Sequence, residues 1–262
     1  MSTSDARRGP RPEFSEFAAT TILLFVMVTL VRVVYGTDSP VAQAVPSAEG
    51  RLAIDALVSG GTVGLLVASP LGRRSGGHLN PAVSLAFWLL GALPGRAAIA
   101  YVVAQLAGSA AGVAAGRLLW GEDAATPAVG YATVRAAGGV PWTVVFAAEA
   151  AATAVMLAAV VFVASRPRPV LPVPVVAAGA VAGLIMLVGQ GAGGSFNPAR
   201  QFGPELFSGD FTWLWVYLTA PLVGAGIFAL VRSRVRTAPP LPCPLCERHS
   251  CHAPVRPTAA RS

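Results

Sequence analysis

The tripeptide Asn-Pro-Ala occurs twice in this chain, at Asn80–Pro81–Ala82 in SGGHLNPAVSLAFW and at Asn197–Pro198–Ala199 in GGSFNPARQFG. One copy is an ordinary helix start, because Asn caps free backbone N–H groups and Pro suits the first helical position. Two copies at corresponding places point to a structure written twice. Each opens an apolar run too short to cross a bilayer, Pro81–Leu90 and Pro198–Phe207, and each short run lies between longer ones.

The longer runs decide the solvent. The chain is 54% hydrophobic and 12% charged, with a mean hydropathy of +0.63, well beyond a soluble domain. Six stretches approach the roughly 20 residues that a hydrocarbon core requires: Phe14–Tyr35, Leu52–Leu71, Ala97–Leu119, Trp142–Ala164, Val170–Gly189 and Trp213–Val231. The polar MSTSDARRGPRPEF before the first is unlike a cleaved leader, so residues 1–13 read as a cytoplasmic tail. An even number of spans puts both termini on one side. The two tails and the second and fourth connections carry fourteen of the nineteen arginines, so both termini are expected to be cytoplasmic, in the cell membrane. The net charge of +7 is then a topology signal, and nucleic acid is not an expected partner.

The repeat extends beyond the motifs. Glu16-Phe-Ala-Ala-Thr20 in the first span matches Glu149-Ala-Ala-Ala-Thr153 in the fourth. Three spans and a half-helix therefore appear twice, over about residues 14–119 and 142–231. Because three is odd, the second copy lies inverted in the bilayer, which places a functional site at the midplane. The half-helices enter from opposite faces and their positive N-terminal ends meet, so that cations and protons are repelled there. Irregular backbone at that depth must be buried in protein or line a watery path. Glu16 and Glu149 are either functional intramembrane acids or, from their symmetry, acceptors for the unwound loop backbones. A coupled transporter shares this architecture but needs an ion site, and no third acid is evident near the midplane. An enzyme needs a nucleophile or metal cluster in the spans. All three cysteines lie in the last thirty residues, and of the histidines only His78 is near membrane depth.

Ser75–Val83, Gly193–Pro204, the repeated glutamates and Gln105-Leu-Ala-Gly108 together resemble the aquaporin, or major intrinsic protein, family over about Phe14–Val231. The resemblance implies an all-α membrane protein with six transmembrane helices and two re-entrant half-helices. It implies a homotetramer, each protomer holding its own pore for water or small neutral solutes, with no cofactor and no enzymatic activity. A family constriction of four residues, carried over by counting from the motifs, falls on Gly60, Ile185, Gly194 and Arg200. Gly60 and Gly194 read equally as helix-packing glycines, Arg200 as an outer-face charge, and His78 as pore-lining, loop-bracing or pH-responsive. Two glycines, an isoleucine and an arginine make a wide ring, resembling the nodulin-like branch and its bacterial relatives, whose members pass glycerol, urea and neutral metalloid acids such as arsenite or boric acid. A water-selective channel is the alternative. Residues 232–262 form a Pro-rich tail, expected to be disordered. Its Cys243, Cys246, His249, Cys251 and His252 form a candidate metal set, able also to bind trivalent arsenic through three thiols, or else are incidental.

Overall fold

The computed structural model describes residues 11–166, 169 and 171–235, and the described residues contain helices and no strands. Six helices are long and apolar enough to cross a membrane: α1 (Pro12–Tyr35), α3 (Ala48–Ala68), α6 (Gly95–Trp120), α7 (Trp142–Ala164), α8 (Val173–Ala192) and α10 (Leu214–Arg234). Two half-helices, α5 (Pro81–Leu89) and α9 (Pro198–Ser208), follow the two Asn residues. Short helices α2 (Pro40–Ala44) and α4 (Pro70–Ser75) fill connections that the sequence reading leaves irregular.

Proline and serine set the starts. Pro12, Pro40, Pro70, Pro81 and Pro198 stand at the first helical position, where a missing N–H costs nothing. Ser47 caps α3 by accepting from Gly50 N at 3.2 Å, and Ser69 caps α4 by accepting from Gly72 N at 3.2 Å. These two caps correct the second span. The expected Leu52–Leu71 is in fact Ala48–Ala68, because Ser69–Pro70 ends one helix and opens another, while the polar turn before Leu52 is already helical.

Lipid offers no hydrophobic drive for helices to associate, so close packing must hold them. The α1–α6 seam uses Gly108 and Gly112 four residues apart. A Cβ on Gly108 would lie 2.5 Å from the Phe17 carbonyl oxygen, and one on Gly112 2.4 Å from that of Thr21. In the second half, a Cβ on Gly224 of α10 would lie 2.2 Å from the Ala150 oxygen of α7, so the inverted copy packs by the same device. The two halves join where α3 runs antiparallel to α8. Leu57, Leu65, Ile99, Val103, Leu187 and Ile227 point outward, the apolar belt that hydrocarbon would cover.

Candidate functional site: a conduit at the meeting of two half-helices

The half-helix starts are locked to one another. Asn80 Oδ1 accepts from Ala82 N at 2.8 Å, capping α5, while its Nδ2 donates to the Phe196 carbonyl at 2.9 Å. Asn197 reproduces this on α9: its Oδ1 accepts from Ala199 N at 2.9 Å and its Nδ2 donates to the Leu79 carbonyl at 2.9 Å. Leu79 and Phe196 pay for these positions with φ values of 55° and 52°, left-handed conformations unfavourable to bulky residues. A side-chain amide has two N–H groups. One of each is used in the cross-link, leaving the other for the cavity that both asparagines line.

The buried glutamates hold the loops behind these caps. Glu16 accepts from Ser75 Oγ at 2.6 Å, His78 N at 3.0 Å, Leu79 N at 2.7 Å and Gln105 Nε2 at 2.7 Å. Glu149 accepts from Ser195 N at 2.8 Å and Phe196 N at 2.7 Å. Tyr101 Oη donates to the Ser75 carbonyl at 2.7 Å, and Tyr217 Oη to that of Ala192 at 2.8 Å. Loop backbone that cannot pair with itself is thus satisfied inside the protein.

A cavity of about 510 Å³ runs from Tyr35 and Arg135, at one end of the helices, to Ala164 and Val173 at the other. Its helical walls are largely apolar, with Leu23, Met27 and Val31 on α1 and Val181 and Ile185 on α8. Its polar surface comes from the two loops, the two asparagines, Arg200, Asp55 and Ser59. Arg200, half-buried, donates from Nη1 to the Ala132 carbonyl at 2.6 Å. That carbonyl belongs to a strap held by Gln201, which accepts from Val134 N at 3.1 Å and donates to Val134 O at 2.8 Å. Arg135 on this strap pairs with Asp210 at 3.5 Å. Asp210 lies outside the spans, and hydrogen bonds from Thr212, then the Arg135 charge, hold its carboxyl below the usual aspartate range.

Of the residues read as a constriction, Ile185, Gly194 and Arg200 line this cavity. Gly60 does not, and its assignment is corrected. It faces α8, where a Cβ would lie 2.4 Å from the Ala178 oxygen and 2.9 Å from Ala182 Cβ, so it serves the helix seam. Counting back from Asn80 fixes a residue number but not the direction its Cβ takes around the helix. His78 both lines the cavity and lies 3.1 Å from Ser84 Oγ through Nδ1, its ring packed on Phe87 and Tyr101. The cysteines and histidines from Cys243 to His252 lie outside the described residues, and among the described residues no cluster of three or more metal-binding side chains occurs.

Sequence reasoning missed Asp55, Ser59 and the Gln201 strap. Asp55 and Ser59 stand four residues apart in an apolar run, which is a readable sign of one wetted helix face. Nothing local signals that Gln201 reaches Val134.

The family model described as Major intrinsic protein matches residues 7–232. The chain is 33% identical to the probable aquaporin TIP2-2 of Oryza sativa over 82% of its own length and 88% of that protein's. It is 36% identical to aquaporin NIP1-3 of the same species over 64% of its length and 57% of the relative's. The X-ray structure of the aquaglyceroporin from Plasmodium falciparum superposes with a TM-score of 0.70 at 23% identity, covering 90% of this chain and 98% of that one, which supports the fold. Two cross-linked Asn-Pro-Ala caps, two buried glutamates and a cavity from face to face accompany that match, and the chain belongs to the major intrinsic protein family, the family of the aquaporins.

Proposed function

We propose that the chain is a passive membrane conduit for small uncharged solutes, namely glycerol, urea and neutral metalloid acids such as arsenite or boric acid, passing water as well and excluding ions and protons. The observation that carries this reading is the composition of the cavity near Arg200. Gly189 and Gly194 offer backbone rather than side chains to it, Ile185 supplies an apolar wall, and the guanidinium supplies fixed donors. A broad lining with an apolar side and a polar side suits a small polyhydroxyl solute. The likeness to a protein named aquaglyceroporin and to one of the NIP aquaporins points the same way. Asn80 and Asn197 act as the central donors, and with the two helix N-termini they disfavour cations. Glu16, Glu149 and His78 act as braces. The functional unit is a homotetramer in the cell membrane with both termini in the cytoplasm, in keeping with the arginine distribution.

The test is stopped-flow light scattering on proteoliposomes, comparing water efflux with swelling in glycerol, urea and boric acid, and following arsenite uptake in parallel. Rapid solute entry with modest water flux is expected. Rapid water flux with no solute entry would replace this reading by a water-selective channel. Arg200→Ala should widen the conduit and raise cation and proton leak; an unchanged leak would remove Arg200 from the selective machinery.

A further inference from the structure

Asp55 is an acid facing the conduit where neither the sequence motifs nor the family match assigns one. Leu52 and Ala56, on its own turn of α3, pack in one cluster with Ile185 and Phe196, and a Cβ on Gly189 would lie 3.1 Å from a Leu52 methyl. This turn is therefore level with the Ile185–Gly189 segment of α8, at the outer part of the cavity that Asp55 lines. The Ser59 hydroxyl donates to Asp55 Oδ1 at 2.9 Å and also contacts Met27 Sδ at 3.2 Å, which fixes the carboxylate's rotamer. Arg200, at the start of α9, lines the same cavity. A charged carboxylate at membrane depth is costly and is kept where it faces water or a partner.

We infer that Asp55 is a specificity-determining residue of the outer constriction, supplying the acceptor side of a ring whose donor side is Arg200. The inference rests on the channel reading above. Such a ring favours solutes that offer several O–H or N–H donors together with an acceptor, as polyols, amides and trihydroxy acids do, and its opposite charges offset one another. A water molecule can use the same groups, but it gains less because it spans only part of the ring.

The experiment has two arms, both in a full-length chain with Cys243, Cys246 and Cys251 replaced by serine. In the first, Asp55→Cys and Leu57→Cys proteoliposomes are treated from outside with a positively charged thiosulfonate, and water flux is read. Leu57 faces outward, 71% exposed. Modification should reduce water flux about ten-fold for Asp55→Cys, as expected when an added cationic group obstructs the conduit, and leave Leu57→Cys unchanged. An unblocked Asp55→Cys channel overturns the inference. In the second arm, Asp55→Asn should lower glycerol and urea entry relative to water by about ten-fold, the value of one charge-assisted hydrogen bond, with Asp55→Glu retaining more. Water flux in the same vesicles reports whether each variant has folded. An unchanged solute-to-water ratio also overturns the inference. If the parent channel passes water alone, it is the solute reading that fails, and the thiosulfonate arm still decides whether Asp55 lines the constriction.

Discussion

The two halves of the repeat brace the same loop by different means. In the first, Glu16 gathers two backbone N–H groups and two side chains, Ser75 and Gln105. In the second, Glu149 gathers backbone alone, from Ser195 N and Phe196 N. The relation that carries Tyr101 onto Tyr217 carries Gln105 onto Pro221, which has no donor to offer. Likewise Ser84 in the first half points inward, to His78 and Gln105, whereas its counterpart Gln201 turns away to hold the strap. The first loop is thus closed by a side-chain network. The second is left as backbone, and the positions so released hold Arg200 and its support.

This comparison is sharpest at the two glutamates. Glu149→Ala leaves the Ser195 and Phe196 N–H groups buried without acceptors, at about 1–3 kcal/mol each, and should cost roughly 4 kcal/mol in all. Glu16→Ala orphans the His78 and Leu79 N–H groups in the same way and should also cost roughly 4 kcal/mol, with no further loss because Ser75 can turn to the Leu71 carbonyl and Gln105 to Ser84 Oγ. Thermal unfolding in detergent micelles checks this, and a clearly larger loss at Glu16 would show that its side-chain network does not re-pair. Next comes the seam between the halves, where Gly60→Ala should cost about 1–3 kcal/mol by overpacking against α8 while leaving the glycerol-to-water ratio unchanged. A changed ratio at full stability would return Gly60 to the constriction. Gln201→Ala orphans the Val134 N–H, at about 1 kcal/mol, and should alter urea and glycerol selectivity by loosening Ala132 under Arg200. Ser84→Ala should leave selectivity alone, and reflection coefficients separate the two.

The smallest effect concerns Asp210. Its carboxyl titrates lower in the folded chain than in an unfolded one, so its contribution to the outer loops is complete above the ordinary aspartate range. That contribution is lost as pH falls through the depressed value. External acidification to mildly acidic pH should leave flux unchanged by this route, with an effect only in stronger acid. Asp210→Asn should show a small change in selectivity at neutral pH that disappears relative to the parent chain in strong acid.

What the sequence made legible was whatever is encoded locally. Twenty apolar residues and an Asn-Pro cap need no knowledge of neighbours, and the six spans and both half-helices followed from them, while the paired glutamates stood out from the repeat with both the acid and the acceptor reading open. The second span slipped because Arg51 and Asp55 lower its apolar character at one end, while Ser69 interrupts an apolar run that continues through Leu71. Gly60 and Asp55 were exchanged in effect, one placed in the conduit and the other overlooked. Helix phase decides which faces inward, and that phase is set by how closely Gly60 and Gly64 let α3 approach α8, a contact between segments more than a hundred residues apart. The strap escaped for the same reason, since Gln201 and Val134 are joined only in space.

The exchange between Asn80 and Asn197 also orders events in time. Asn80 reaches a carbonyl 116 residues later in the chain, and the Leu79 carbonyl is met by an amide 118 residues later. In a chain synthesised from its N-terminus, the first three spans can therefore be inserted and packed while their own loop still lacks its closing contact. The conducting path is completed last, when the second half-helix enters from the opposite face. A chain that stops short of Asn197 leaves the Leu79 carbonyl without the amide that closes the path.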